Sequence, residues 1–122
     1  MACRGIRGAI TVTENTAAAI KAATRALLEH IVTANAVNIA DIASVIFTAT
    51  PDLNAAYPAL AAREMGWNHT PLLCMQEMAV LGSLPRCIRV LLHWNTDRAQ
   101  TDIHHIYLGE AQALRPDITN HE

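Results

Sequence analysis

Two charged residues, Glu77 and Arg89, lie in stretches of the sequence that are otherwise apolar. Glu77 interrupts "TPLLCMQEMAVLGSL", and Arg89 lies in "RCIRVLLHWN". A buried charge without a partner is strongly destabilising, so each of these side chains requires an opposite charge nearby. The segment between them contains Gly82 and Pro85, which favour a turn that reverses the chain. We therefore predict that Glu77 and Arg89 are neighbours in the folded protein.

The expected pair has two interpretations. Period-two alternation in a strand over 86–95 places Arg89 on the face that also carries Cys87, Leu91 and His93. A pair on that face either fixes the register of the sheet or lies at the edge of a pocket, where a substrate binds between the two charges. Residue spacing alone leaves both interpretations open.

Other reactive side chains give less specific patterns. Cys74 is a candidate nucleophile, but no histidine has a spacing that suggests a base, and free cysteines more often pack in cores. His104 and His105 are adjacent on a predicted strand, so they point to opposite faces and do not chelate one ion. We expect no metal site, and no nucleotide-binding or Ser-His-Asp motif occurs.

The basic residues indicate a different kind of chemistry. Eight of the nine are arginine, whose planar guanidinium fork binds a carboxylate through two hydrogen bonds.

Length and composition exclude several classes of protein. The 122 residues suit one domain, and 52% are hydrophobic against 16% charged. A net charge of −2 argues against nucleic acid as a partner, which requires a basic surface. The three cysteines lack a CxxC spacing, which argues against a disulfide framework. Without a signal-peptide pattern or an apolar run of about 18 residues, the sequence predicts a cytoplasmic protein with no membrane association.

Hydrophobic periodicity predicts the elements that position these residues. "CRGIRGAITV" (3–12) is typical of a first strand that carries Arg7, and residues 14–35 form an amphipathic helix capped by Asn15 or Thr16. "IASVIFTAT" (42–50) is a buried strand that ends at a proline. A second helix has Pro58 in its first turn and a left-handed terminator at Gly66.

The second half of the chain is predicted to be mostly strands. "TPLL" (70–73) forms a brief strand that leads into "CMQEM", and further strands follow at 86–95 and 103–108. The order β-α-β-α-β-β-β indicates a single α/β (α+β) domain with a mixed sheet of about five strands and two main helices. Residues from about 110 to 122 form a C-terminal tail.

Four stretches together resemble the AroH-type, monofunctional chorismate mutase family. They are "RGIRGAITV", "TATPDLNAAYPALAARE", "CMQEMAVLGSLPRCIRVLLHWNTD" and "HIYLGEAQALRPD", in the family's order and at nearly its spacing. The resemblance covers almost the whole chain. It implies a homotrimer with a pseudo-barrel fold, with active clefts between subunits and the C-terminal tail near each cleft.

The resemblance also implies the reaction. Members convert chorismate to prephenate by a Claisen rearrangement within one molecule, in the route to phenylalanine and tyrosine, and they use no cofactor. Chorismate is a dianion that is mostly extended, so the enzyme must hold a compact chair-like form and stabilise the charge that separates as the ether bond lengthens.

Residue roles follow from the same resemblance. Arg89 would donate to the ether oxygen and to a carboxylate, while Arg7 and Tyr107 would each bind a carboxylate. Glu77 and Cys74 would face the ring hydroxyl and the electron-poor fragment of the substrate. Further substrate contacts are implied for Tyr57 and Arg63 on the neighbouring wall, for Leu114 and Arg115 in the tail, and for Leu73.

The sequence departs from the family's pattern in a few places. Leu60 stands where a basic residue is usual, Leu73 stands where a hydroxyl residue is usual, and one residue is missing beside Gly66. We expect these changes to affect substrate entry or binding more than the chemical step. Two other readings stay open: a trimeric enamine/imine deaminase-like enzyme, and a non-catalytic module that binds carboxylates.

Overall fold

The chain folds into one mixed β-sheet with helices packed on one of its faces. The structure, a computed structural model, describes residues 1–114. Its elements are strand β1 (Ala2–Thr11), helix α1 (Ala17–Asn35), strand β2 (Ile42–Ala49), helix α2 (Ala59–Glu64), strand β3 (Leu72–Gln76), strand β4 (Cys87–Thr96) and strand β5 (Ile106–Leu108). Short 3-10 helices occupy Ile39–Asp41, Gln100–Asp102 and Gly109–Ala113. The predicted class, a single α+β domain with five mixed strands and two main helices, is confirmed.

Strand β4 lies at the centre of the sheet, whose order is β3-β2-β4-β1-β5. It pairs antiparallel with β1 and with β2, whereas the outer strands β5 and β3 pair parallel with β1 and β2. The predicted alternation in β4 is confirmed, because Ile88, Val90, Leu92 and Trp94 are buried on the helix-covered face. Arg89 therefore projects from the opposite face.

Helix α1 covers the buried face of the sheet. Its N-terminus is capped by Thr16, whose hydroxyl accepts a hydrogen bond from the Ala19 N–H, so the second of the two predicted caps is the one used. Its C-terminus ends at Ala36 in the left-handed conformation, with φ of 54°. Between these caps, Ile20, Leu27 and other apolar side chains at helical spacing are fully buried against the sheet.

The close approach of α1 to β1 depends on a glycine. A Cβ at Gly8 would lie 3.0 Å from Ile31 Cδ1, 3.1 Å from Leu27 Cδ1 and 3.1 Å from the Ile106 carbonyl oxygen. Any larger residue would push the helix or β5 away from β1. The glycine therefore sets how closely the helix layer packs on the sheet.

Helix α2 follows its predicted signals. It begins after Pro58, and Gly66 has φ of 91°, the left-handed conformation expected of a terminator. Ala59 and Ala62 pack into the same core as α1. Both α-helices therefore lie on one side of the sheet. Among residues 1–114 no α-helix covers the other face, here called the helix-free face, and the short 3-10 helix Gly109–Ala113 packs on it through Ala111.

The structure differs from the sequence prediction at the ends of two strands. Strand β3 continues through Cys74 to Gln76, because it stays paired with β2 as far as Ala49. Strand β5 is shorter than predicted and excludes His104 and His105, because its pairing with β1 begins only at Ile106. The prediction that the two histidines lie on opposite faces of a strand is therefore wrong.

The beginning of the predicted tail is ordered. Gly109–Ala113 forms a 3-10 helix that packs beside β1, and the Glu110 N–H donates to the Thr11 hydroxyl. Arg115 and the rest of the tail lie outside the described residues. Over the described range, neither helix has the length and apolar character needed to cross a membrane.

Candidate active site

Glu77 and Arg89 form an ion pair on the helix-free face of the sheet. Arg89 Nε lies 3.0 Å from Glu77 Oε1, which confirms that the two residues are neighbours. The same carboxylate oxygen accepts a hydrogen bond of 3.1 Å from the Thr48 hydroxyl, and Oε2 accepts one of 3.2 Å from the Met78 N–H. Thr48 is directly opposite Arg89 in the β2–β4 register. Glu77 is thus held from two sides and orients the guanidinium beside it.

The pair lies at a surface and not in the core. The exposed fraction of the side chain is 40% for Arg89 and 25% for Glu77. Arg89 Nε is itself buried, and among the described residues it has no aligned hydrogen-bond acceptor although Glu77 is within ion-pair distance. The contact is therefore better described as a charge pair than as a saturated hydrogen-bonded bridge. Part of the guanidinium stays accessible to a ligand.

A pocket of about 330 Å³ opens beside the pair. Its lining combines the two charged side chains with small polar groups and apolar side chains, including Thr50, Glu77, Ser83, Leu84, Cys87 and Arg89. Burial raises the pKa of the Cys87 thiol, although the Arg89 charge acts in the opposite direction. The thiol is therefore neutral at physiological pH, and the charges in this pocket are those of Glu77 and Arg89. This geometry favours the second interpretation of the pair, a pair at the edge of a pocket.

The loop between Glu77 and β4 is anchored at its end by Asp52. Both carboxylate oxygens accept from the Arg86 N–H, at 3.1 and 2.9 Å, and one also accepts from the Thr50 hydroxyl. Arg86 has φ of 46°, an uncommon conformation for a residue with a Cβ. Its Nε donates to the Val12 carbonyl at 3.0 Å. These contacts hold the chain where it enters β4, three residues before Arg89.

The environment of Asp52 lowers its pKa. Burial acts to raise it, but hydrogen bonds from the Thr50 hydroxyl and from the Arg86 and Asp52 N–H groups, together with the Arg86 charge, outweigh that effect. The carboxylate is therefore ionised at neutral pH and stabilises the loop in that form.

Arg7 and Tyr107 share the face that carries the ion pair. Ala9 is opposite Arg89 on one side of β1 and opposite Tyr107 on the other, and Arg7 lies two residues before Ala9 on the same face. Tyr107 is buried and packs with Ala9 and Cys87. Four predicted site residues, Glu77, Arg89, Arg7 and Tyr107, therefore lie on one face of one sheet.

Cys74 and Arg63 lie on the other side of the sheet. Cys74 is three residues before Glu77 on the extended chain, so it faces α2 and packs against the core. Burial raises the pKa of its thiol, although the Ala59 N–H and the Arg63 charge act to lower it. A raised pKa disfavours the thiolate that a nucleophile requires. Within one chain, Cys74 is thus not brought to the Glu77–Arg89 pocket.

The helix side has a larger cavity of about 480 Å³ next to Cys74. Its wall includes Tyr57, whose side chain is 73% exposed, together with Asn54 and Gln76. Leu73 points to the Glu77 side and is 56% exposed, and Leu114 packs on the cluster around Tyr107. The predicted residues thus divide between two surfaces of the chain.

Sequence reasoning missed two residues of the site. Thr48 and Asp52 have no distinctive local pattern, and each acts through a partner that is distant in the sequence. "TPD" at 50–52 signals a turn, but it does not indicate that Asp52 anchors residue 86. The contact between Thr48 and Glu77 depends on the register of β2 against β4, which local sequence does not reveal.

Among residues 1–114, no group of three or more His, Cys, Asp or Glu side chains is arranged to hold a metal ion.

Comparison with known proteins gives consistent matches over nearly the whole chain. The family described as chorismate mutase type I matches residues 3–118. The chain is 54% identical to the chorismate mutase AroH of Thermus thermophilus over 116 residues, covering 94% of this chain and 95% of that one. It is 46% identical to that of Bacillus subtilis (strain 168) over 120 residues, covering 98% and 94%. A chorismate mutase structure from Clostridium thermocellum superposes with a TM-score of 0.88 at 52% identity, covering 89% of this chain and 97% of that one.

Proposed function

Because the chain belongs to the type I chorismate mutase family and has chorismate mutase function, we propose that it rearranges chorismate to prephenate in a cleft built around Glu77 and Arg89. Such an enzyme is an isomerase of aromatic amino acid biosynthesis. The observation that carries the proposed site is the Glu77–Arg89 pair, 3.0 Å apart at the edge of a pocket with the guanidinium partly accessible.

The reaction itself sets what the site must supply. One C–O bond breaks and one C–C bond forms within a single molecule, so no proton has to be transferred and no covalent intermediate is needed. The enzyme lowers the barrier by holding the compact chair-like substrate and by stabilising separated charge. Fixed charges and hydrogen-bond donors on a rigid sheet are suited to both tasks.

In this proposal Arg89 stabilises the negative charge that grows on the ether oxygen. An acceleration of about a millionfold corresponds to roughly 8 kcal/mol of barrier. A preorganised cation at the developing oxyanion contributes about 3 to 4 kcal/mol by analogy with oxyanion-hole donors. Glu77 keeps the guanidinium in place and faces the electron-poor fragment, and the Thr48 hydroxyl holds the Glu77 carboxylate. Preorganisation by Glu77 and Thr48 avoids a reorientation cost during the reaction.

The two carboxylates of the substrate are bound by the remaining residues on this face. Arg7 grips one carboxylate through its planar fork, and Tyr107 donates its hydroxyl to a carboxylate. The register of Arg89, Ala9 and Tyr107 across three neighbouring strands supports this grouping. Binding by several donors selects the compact form over the extended one.

The complete cleft forms, in this proposal, between subunits of a homotrimer. Cys74, Arg63 and Tyr57 supply the second wall from a neighbouring copy, and Leu73 contacts the substrate from the Glu77 side. The tail with Leu114 and Arg115 lies near the opening. The division of the predicted residues between two surfaces supports this arrangement, because Cys74 faces α2 while Glu77 faces the helix-free side. Exposed apolar side chains on and beside the helix-free face, such as Met75 and Met78, supply surface for association.

We place the enzyme in the cytoplasm. Cys3, Cys74 and Cys87 are free thiols in the structure, and free thiols persist in reducing compartments. The reaction uses no cofactor, so chorismate is the only small molecule that the cleft has to bind.

Incubation of the purified protein with chorismate tests the function. We expect chorismate absorbance to fall as prephenate appears, without added cofactor or metal. An amino-acid-derived imine run in parallel tests the deaminase alternative through ammonia release. Binding of chorismate without conversion would instead identify a non-catalytic module and contradict the proposal.

A further inference from the structure

The main-chain N–H of Arg7, on the side of β1 that faces β5, is bound by a side chain. The Arg7 N–H donates a hydrogen bond of 2.9 Å to His105 Nδ1. Pairing between β1 and β5 begins one residue later, where Gly8 is opposite Ile106. The imidazole thus takes the place of a main-chain acceptor at the point where the parallel ladder starts. A backbone N–H can only donate, so Nδ1 must carry the lone pair and the ring proton of the neutral form lies on Nε2.

A fully buried asparagine fixes the segment that carries this histidine. Asn35, in the last turn of α1, accepts from the His104 N–H at 2.8 Å through Oδ1. Its Nδ2 donates to the His104 carbonyl at 2.9 Å and to the Ile31 carbonyl at 3.0 Å. Both backbone groups of residue 104 are therefore bound to α1. His105 is the next residue, so its main chain is held in place where its side chain contacts β1.

We propose that His105 is a positioning residue for Arg7 in the mutase reaction. Through Nδ1 it fixes the main chain of Arg7, so that the guanidinium is already in position to bind the substrate carboxylate. This inference rests on the proposed function, in which Arg7 binds a carboxylate. It adds a chain of contacts from Asn35 through His105 to Arg7 that ties the substrate-binding strand to the end of α1.

The role predicts a change in KM more than in kcat. Arg7 grips a carboxylate that is present both in chorismate and in the transition state, so loss of that grip raises KM and leaves kcat nearly unchanged. His105→Leu removes the acceptor at similar size, and we expect KM to rise about tenfold with kcat within about threefold. His105→Asn places an oxygen near the position of Nδ1, and we expect it to keep KM within about threefold of wild type.

Two controls separate positioning from general stability. His104→Leu changes an exposed side chain next to His105 and should leave KM and kcat unchanged. The melting temperature of each His105 variant shows whether its change in KM accompanies a loss of fold stability. If His105→Leu does not fold, His105→Gln replaces it, because its oxygen lies one bond too far to replace Nδ1 and its KM should exceed that of His105→Asn.

A double-mutant cycle with Arg7→Ala decides the question. If His105 acts through Arg7, adding His105→Leu to Arg7→Ala raises KM no further. An additive rise in KM, or an unchanged KM in His105→Leu beside a raised KM in Arg7→Ala, overturns the positioning role and leaves the proposed function intact. An unchanged KM in Arg7→Ala overturns both this inference and the proposed role of Arg7. Absence of turnover in the wild type would instead reject the proposed function itself.

Discussion

At the scale of single residues, the site is built on a charge pair at a partly exposed position. Glu77 and Arg89 lie in largely apolar stretches, and each compensates the charge of the other. The Thr48 hydroxyl and the Met78 N–H complete the coordination of the carboxylate. Because Glu77 is held by these neighbours, the guanidinium of Arg89 is preorganised for the proposed reaction and contributes more than a mobile cation would.

Replacement of Arg89 tests this preorganised charge. We expect Arg89→Ala to lower kcat by several powers of ten, since the cation at the developing oxyanion is lost. Arg89→Lys should also lose most activity, because a point charge does not reproduce the planar fork. Steady-state kinetics with chorismate measure both, and Arg25→Ala in α1 provides a control at an exposed arginine. Near-normal turnover in Arg89→Ala would remove Arg89 from the mechanism.

At the scale of elements, two contacts set the geometry of the sheet around the site. Gly8 lets α1 and β5 pack closely on β1, the strand that carries Arg7. Asp52 anchors the end of the loop that connects Glu77 to β4. Neither residue has to touch substrate, but both fix the strands from which the proposed substrate-binding groups project.

A methyl group at position 8 should destabilise the fold. In Gly8→Ala the new Cβ meets Ile31 Cδ1 at 3.0 Å and the Ile106 carbonyl oxygen at 3.1 Å, so the helix or β5 must shift. We expect a loss of about 1–3 kcal/mol in the free energy of unfolding, measured by denaturant titration. Ile31→Val removes the Cδ1 atom, so the double variant should lose less than the sum of the single changes. Strict additivity would contradict the proposed contact.

The Asp52 carboxylate should make stability depend on acid pH. Its folded-state pKa is lowered, so its contribution is present above the ordinary value of 3.8 and is lost as the pH falls through the lower folded value. We expect Asp52→Asn to have a lower melting temperature than wild type at pH 7 and a smaller difference at pH 3. Asp102→Asn, at an exposed position, is the control. An equal difference at both pH values would show that the charge of Asp52 does not contribute.

At the scale of the whole molecule, the chain carries two separate surfaces for one proposed reaction. The helix-free face holds Glu77, Arg89, Arg7 and Tyr107, and the α2 side holds Cys74, Arg63 and Tyr57. A cyclic homotrimer, in which each interface joins the first surface of one copy to the second surface of the next, would unite them. Such an interface would also cover the apolar side chains that one chain leaves exposed.

Mixing two inactive variants tests the proposed assembly. Arg63→Ala removes a residue from the α2-side wall of the cleft, and Arg89→Ala removes one from the wall on the helix-free face. Every cleft in a trimer of a single variant therefore lacks one of the two arginines. In trimers formed from equal amounts of both chains, about a quarter of the clefts contain neither change. We expect co-expressed variants to recover about a quarter of wild-type activity, and light scattering to give the mass of three chains. A mixture that stays inactive, or a mass equal to one chain, would contradict the inter-subunit cleft.

The sequence by itself determined the order and type of the elements, the face of β4 that carries Arg89 and the pairing of Glu77 with Arg89. These follow from local periodicity and from the cost of an unpaired charge, both of which are properties of short stretches. Only the tertiary structure decided that Thr48 holds Glu77, that Asp52 holds residue 86 and that His105 leaves its predicted strand to bind Arg7. Those contacts join residues far apart in the chain, and they depend on strand register and on where pairing begins, which local patterns do not encode.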